Sequence, residues 1–118
     1  MEWMTSVLEY CLSKPKSYED HPFGEYPVCI KVHGKIFAQL YPNMITLKCT
    51  RFQGELFRQN YPGIVVRGYH CPPVQQPYWN TIDPSGLPPE ELLYMVDLAY
   101  EAVLAGCSRK IRQELAAQ

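Results

Sequence analysis

The stretch VCIKVHGKIFAQLYPNMITLKC, residues 28–49, decides the fold. Two runs in which apolar residues alternate with others meet at His33-Gly34-Lys35, and this pattern predicts a β-hairpin. A two-residue loop at His33-Gly34 would place Val32 opposite Lys35 and split the small aliphatic residues between the two faces. An odd-numbered loop with a glycine bulge keeps them together. We therefore expect a three-residue loop and one inner face formed by Val28, Ile30, Ile36, Ala38 and Leu40.

A third strand extends this hairpin into a meander. A four-residue turn from Tyr41 to Met44 would set Leu40 opposite Ile45 and Ala38 opposite Leu47. The strand from Ile45 to Cys49 then adds every second residue to the inner face. The outward face of the meander carries Lys31, Phe37, Gln39, Thr46 and Lys48.

Helical patterns stand on both sides of the meander. The first helix has its apolar stripe at Met4, Val7, Leu8, Cys11 and Leu12. Thr50 and Gln53 form a capping box that opens a second helix, whose predicted buried side is Phe52, Leu56 and Phe57. The sequence Pro88-Pro89-Glu90-Glu91 starts a third, and Gly106 is its predicted C-cap.

Residues 64–66 and 78–82 read as two further strands, and the polar residues 16–26 read as a loop. The resulting order is α-β-β-β-α-β-β-α. It predicts an α+β two-layer sandwich: an antiparallel sheet of about five strands with the helices packed on one face. The other face is left to solvent or a partner. We expect one domain over residues 1–106, with a tail or short helical extension at 107–118.

Composition limits the classes of function. The 118 residues are 47% hydrophobic and 19% charged, which is typical of a globular domain. The net charge of −1 lacks the basic excess that most nucleic-acid binders have. The five cysteines match neither a zinc site nor a disulfide framework and are expected to be free thiols in a reducing cytoplasm. No signal peptide or membrane span is expected.

The sequence offers no catalytic motif. Its three histidines lack metal-ligand spacing, and phosphate-loop, nucleotide-binding and serine-hydrolase patterns are missing. Asp97 and Glu101 share one helix face and are expected to be solvated surface acids. We expect a binding protein with no enzymatic activity, cofactor or metal.

Several short segments, in this order and spacing, resemble the MmcQ/YjbR family. They run from about residue 4 to residue 105: Pro22-Phe23-Gly24, residues 31–38, Leu47-Lys48-Cys49, Pro62-Gly63-Ile64, Gly68-Tyr69-His70, Trp79-Asn80-Thr81-Ile82, Leu87-Pro88 and Glu90-Glu91-Leu92. The resemblance implies a CyaY-like (frataxin-like) fold and the family's usual label, DNA-binding proteins of bacteria. The first helix offers only Glu2 and Glu9, so the acidic ridge with which frataxin-like proteins bind iron is not present.

Seven residues are the predicted nucleic-acid-binding set, because basic and aromatic side chains can hold a backbone and stack on bases. They lie on the outward sheet face and the adjoining loops: Lys31, Lys35, Phe37, Lys48, Arg67, His70 and Trp79. The expected partner is DNA, bound weakly and in a salt-dependent way by a monomer or weak dimer.

One segment supports an alternative. Between Gly68-Tyr69-His70 and Trp79, relatives usually carry Lys or Arg in a short segment, whereas CPPVQQPY at residues 71–78 is longer, proline-rich and uncharged. The alternative is a protein-interaction or small-ligand module, built on this loop between His70 and Trp79, that does not bind nucleic acid.

Overall fold

The structure is a computed structural model that describes residues 2–107, 109–110 and 113. Three α-helices and six β-strands make up the fold, and two short 3-10 turns flank the last strand. In chain order the elements are α1 Glu2–Leu12, β1 Ser17–Asp20, β2 Val28–Val32, β3 Lys35–Leu40, β4 Ile45–Lys48, α2 Arg51–Asn60, β5 Val65–Arg67, β6 Trp79–Ile82 and α3 Pro89–Ala105.

The six strands form one antiparallel sheet in the order β1-β2-β3-β4-β6-β5. Strand β6 lies between β4 and β5, so the chain passes through α2 before the last two strands join the sheet. All three helices pack on the same face, with α3 against β3 and β4 and α2 against β5 and β6. The predicted α+β sandwich is confirmed, and so is the element order apart from one added strand.

That added strand is β1, at the edge of the sheet, in a segment that was predicted to be a loop. Ser17 pairs with Val32, and Asp20 pairs with Cys29. The prediction was wrong because SYED has no apolar alternation. As an edge strand with exposed Tyr18 and Glu19, it needs none.

The hairpin between β2 and β3 differs from its prediction in the loop. His33 and Gly34 form a two-residue loop, both with positive φ, and Val32 pairs with Lys35. A β-bulge then inserts Phe37 as an extra residue, which restores the pairs of Ile30 with Ala38 and Val28 with Leu40. Four of the five predicted inner residues therefore share the inner face. Ile36 does not, because it pairs with the outward Lys31.

The bulge also decides where Phe37 points. Its side chain is fully buried, and its ring meets that of Tyr100 on α3 edge-on, with centroids 5.5 Å apart. Phe37 is thus a core residue on the helix side of the sheet, and its predicted role in stacking on a base is wrong. The turn from Tyr41 to Met44 and the register of β3 with β4 are as predicted.

Two predictions about the helices also need correction. Phe57 faces the core, but Phe52 is 77% and Leu56 43% exposed, because the buried side of α2 runs through Gly54 and Phe57. Asp97 is not simply solvated: it accepts hydrogen bonds from the Tyr10 hydroxyl (2.7 Å) and from the Lys14 ammonium. These two contacts tie α1 to α3. The predicted domain boundary at residue 106 stays a prediction, since most of the tail lies outside the described residues.

Candidate functional site

A groove opens at the end of the sheet where the β2–β3 hairpin meets the last turn of α3. Its volume is about 490 Å³. Strands β3, β4 and β6 contribute one or two side chains each, and the rest comes from the β2–β3 loop, the loop before β6 and the C-terminal end of α3. The lining residues are Gly34, Lys35, Ile36, Lys48, Gln75, Trp79, Ala102, Val103 and Gly106. We call this feature the lysine groove.

Lys48 lies at the aromatic side of the lysine groove. It pairs with Trp79 across β4 and β6, and its ammonium is 5.2 Å from the Trp79 ring and 5.5 Å from the Tyr78 ring. These are cation–π distances. No ion pair joins Lys48 to any carboxylate of the described residues. Its positive charge therefore remains available to an anion, while the rings restrict where the ammonium can lie.

Lys35 provides the second charge of the groove. It is exposed at the start of β3, and its ammonium lies 3.4 Å from the carbonyl oxygen of Gly106, the C-cap of α3. A cation at this helix end offsets the negative end of the helix dipole. Lys35 and Lys48 thus both bring a positive charge to the lining of the groove.

Two predicted basic residues lie elsewhere. The ammonium of Lys31 is 2.6 Å from a carboxylate oxygen of Asp20 on β1, and this hydrogen bond raises the pKa of Lys31 and lowers that of Asp20. Its charge is therefore locally compensated. Arg67 pairs with Asn80, whose side chain bonds to α2. Arg67 thus belongs to the helix side of the sheet, away from Lys48, which corrects its predicted place in the set.

His70 lies over the middle of the outward sheet face. Its Nε2 is 3.4 Å from both the Thr46 hydroxyl and the Gln39 side-chain oxygen, and Thr46 bonds to Thr81 at 3.0 Å. Thr46 and Thr81 are buried, so the expectation of an open face is wrong at its centre. Burial lowers the pKa of His70, which favours the neutral imidazole and a structural role at neutral pH.

The proline-rich loop of residues 68–78 is tied back to the sheet. The Gln76 amide donates to the carbonyl oxygens of Tyr69 and Cys71, and the Gly68 amide donates to that of Trp79 at 2.8 Å. A Cβ at Gly68 would come within 2.9 Å of the Trp79 Cβ, so this close approach requires glycine. The loop therefore fixes Trp79 at the lysine groove.

Four of the five cysteines are buried, and none forms a disulfide. Burial raises the pKa of Cys11 to about 12 and that of Cys49 to about 11, so both stay protonated and unreactive. Within the described part of the chain, no three His, Cys, Asp or Glu side chains converge as metal ligands. Nor does any helix there have the length and apolar character needed to cross a membrane.

Of the seven predicted residues, the structure brings Lys35, Lys48 and Trp79 together at one groove. Sequence reasoning missed Gln75 as their neighbour, and it placed Tyr78 with Trp79 only in the alternative site between His70 and Trp79, away from the lysines. Gln75 could not be recognised from the sequence, because nothing in the pattern of the uncharged loop showed that the loop would fold back onto β6. Tyr78 precedes Trp79 in the chain, and its contact with Lys48 depends on the pairing of β4 with β6.

Comparison with known proteins places these features in a family. A model of the YjbR family matches residues 12–102. Deinococcus radiodurans protein DR2400, with a DUF419 domain, is 26% identical; the match covers 95% of this chain and 86% of that one, with a TM-score of 0.83. A Pseudomonas syringae protein is 18% identical over 80% of this chain and 93% of that one, with a TM-score of 0.64. No curated protein matches significantly.

Proposed function

The chain belongs to the YjbR family, and we propose that it is a non-enzymatic protein that binds a nucleic-acid strand weakly through the lysine groove. The observation that carries this proposal is the convergence of Lys35 and Lys48 on one groove beside the rings of Tyr78 and Trp79. Lysines can hold phosphates while an aromatic ring stacks on a base. The proposed binding site is therefore confined to one end of the sheet, whereas the sequence predicted binding through the outward face as a whole.

A single strand fits this site better than a duplex does. Base stacking needs an unpaired base, and the groove offers Trp79, half-buried, and Tyr78, exposed, beside the charges. Duplex binding draws most of its non-specific affinity from many phosphate contacts. The net charge of −1 and the pairing of Lys31 with Asp20 argue against such a broad basic surface.

The two lysines set the expected salt dependence. Neutralising two phosphates of a single strand gives a slope of about −1.4 in log affinity against log salt, from about −0.7 per phosphate. Affinity should then fall about sevenfold between roughly 50 and 200 mM salt. With only one lysine left, the fall should be about 2.6-fold over the same range.

The test is a titration of the protein with a single-stranded oligonucleotide and with its duplex at several salt concentrations, followed by anisotropy of a dye on the DNA. Lys48→Gln should halve the salt slope, and Lys35→Gln with Lys48→Gln should abolish it. Lys31→Gln is the matched control and should leave the slope unchanged. A slope that persists in the double variant, or duplex binding tighter than single-strand binding, would refute the proposal.

A small anionic ligand is the second candidate, favoured by the size of the groove. Its volume of about 490 Å³ lies within the roughly 300–1,000 Å³ of small-molecule pockets. A mononucleotide that competes fully with the oligonucleotide would favour this reading, because a strand should gain affinity from contacts outside the groove. The proline-rich loop could also contact a protein partner, because the side chains of Tyr69 and Val74 (73%) are exposed on it.

Three further expectations belong to this proposal. A cytoplasmic location agrees with five free thiols, since a reducing compartment keeps them reduced. A monomer or weak dimer is expected in solution, and sedimentation over a range of concentrations measures it. The source is expected to be bacterial, in line with the bacterial relatives named above.

A further inference from the structure

A second hollow lies at the opposite terminus of α3, between the first turns of α1 and α3. Its volume is about 310 Å³, and its walls are mainly apolar. The lining residues are Glu2, Trp3, Ser6 and Val7 of α1, Pro89, Leu92 and Leu93 of α3, and Pro84. Val7 and Leu92 are buried, so the floor of the hollow is part of the protein core.

A second, more open space lies beside the apolar hollow, and polar side chains contribute to its lining. It is lined by Asn43, Asp83 and Ser85 and shares Trp3 and Pro84 with the first. The two spaces therefore both border the Trp3 and Pro84 side chains. Together they offer an apolar compartment with a polar mouth, which is the usual composition of a small-molecule site.

Acidic groups set the charge of this site. Glu2 and Asp83 line it, and Glu90 and Glu91 lie in the first turn of α3 beside Pro89. Neither space has a lysine or arginine among its lining residues. The N-termini of α1 and α3 contribute about half a positive charge each. The four carboxylates of these described residues outnumber the two dipole charges, so the balance of formal charge around the hollow is negative.

Asp83 is held with its charge at the mouth. One of its carboxylate oxygens accepts from the Ser85 amide (3.0 Å) and the Ser85 hydroxyl (2.7 Å). These bonds lower the pKa of Asp83, so it is ionised at neutral pH. Its other carboxylate oxygen accepts no hydrogen bond from a described residue, so it can accept one from a ligand.

We propose that this hollow binds a small organic cation, with an apolar body against Trp3, Val7 and Leu92 and a protonated amine at Asp83. Glu2, which also lines the apolar hollow, adds a second negative charge. The ring face can also attract a cation. This site shares no residue with the lysine groove, so its test and that of the proposed function are independent.

The experiment uses phenethylammonium as probe and follows the Trp3 indole N–H by ¹H–¹⁵N NMR. Two probes of matched shape, 2-phenylethanol and 3-phenylpropionate, remove or reverse the charge. The cation is expected to bind about fivefold more tightly than the alcohol, the upper end of the gain from one exposed ion pair. The anion should bind more weakly than both.

Asp83→Asn is the decisive variant, since an asparagine can still accept both Ser85 hydrogen bonds and cap the turn. It should reduce the preference for the cation over the alcohol to less than twofold and leave the binding of the alcohol unchanged. Glu101→Gln, at an exposed acid on another part of α3, is the control and should change neither. The proposal is overturned if the three probes bind equally, if the anion binds best, or if Asp83→Asn keeps the fivefold preference.

Discussion

Replacing Phe37 by alanine should destabilise the protein strongly, and this prediction separates a core residue from an exposed stacking residue. The side chain is fully buried and contacts Tyr100 across the interface between the sheet and α3. Removing such a ring costs about 3–5 kcal/mol in free energy of unfolding, through lost transfer energy and the cavity left behind. A surface phenylalanine would cost within about 0.5 kcal/mol.

The thermal midpoint should fall in proportion. Unfolding entropy is about 2.1 cal/mol/K per residue, or about 250 cal/mol/K for 118 residues, so the loss corresponds to roughly 12–20 °C. Urea unfolding followed by circular dichroism gives the free energy, and calorimetry gives the midpoint. Phe52→Ala is the matched control, because Phe52 is 77% exposed on α2 and should change stability little. A loss below about 1 kcal/mol at Phe37, or an equal loss at Phe52, would refute the assignment of its position.

Two other predictions concern titrating groups. His21 should titrate at higher pH than His70 in NMR. The hydrogen bond to Glu19 raises the pKa of His21, whereas burial lowers the pKa of His70. Glu19→Gln should therefore reduce the difference between the two histidine pKa values. Asp97→Asn should lower the free energy of unfolding by about 1 kcal/mol in urea melts at neutral pH. Although burial lowers the pKa of Lys14, Asp97 raises it overall. The stabilisation by this ion pair is lost as the pH rises through the raised pKa of Lys14. The free energies of unfolding of the original protein and of Asp97→Asn should therefore become equal in strong alkali.

Local patterns predicted most of the fold. The alternation of residues 28–49 predicted three strands and the register of β3 with β4. Thr50 caps α2 as predicted, with its hydroxyl accepting from the Gln53 amide at 3.2 Å, but the return bond of the capping box does not form, since the buried Gln53 side-chain oxygen has no hydrogen-bond partner. These features depend on neighbours along the chain, which a sequence displays directly. The start of α3 after Pro88 and its C-cap at Gly106 were predicted correctly for the same reason.

Features that depend on distant contacts could not be predicted in this way. The bulge at Phe37 is recognisable only from the pairing of two strands, and it moved one predicted site residue into the core. Arg67 was grouped with the outward face and its loops, but its pairing with Asn80 places it on the helix side, and no local pattern reveals that register. Lys48 and Trp79 were both selected from sequence, but their contact depends on the insertion of β6 beside β4.

The most direct test of the central claim is an NMR titration with a single-stranded oligonucleotide at low salt, because the two tryptophans report on different places. Trp79 lines the lysine groove, and Trp3 lies in the hollow at the other terminus of α3. We predict that the Trp79 indole signal shifts together with the amides of Lys35 and Lys48, while the Trp3 signal stays in place. Shifts confined to Trp3, shifts spread across Lys31 and Gln39, or no shift at all would contradict the account.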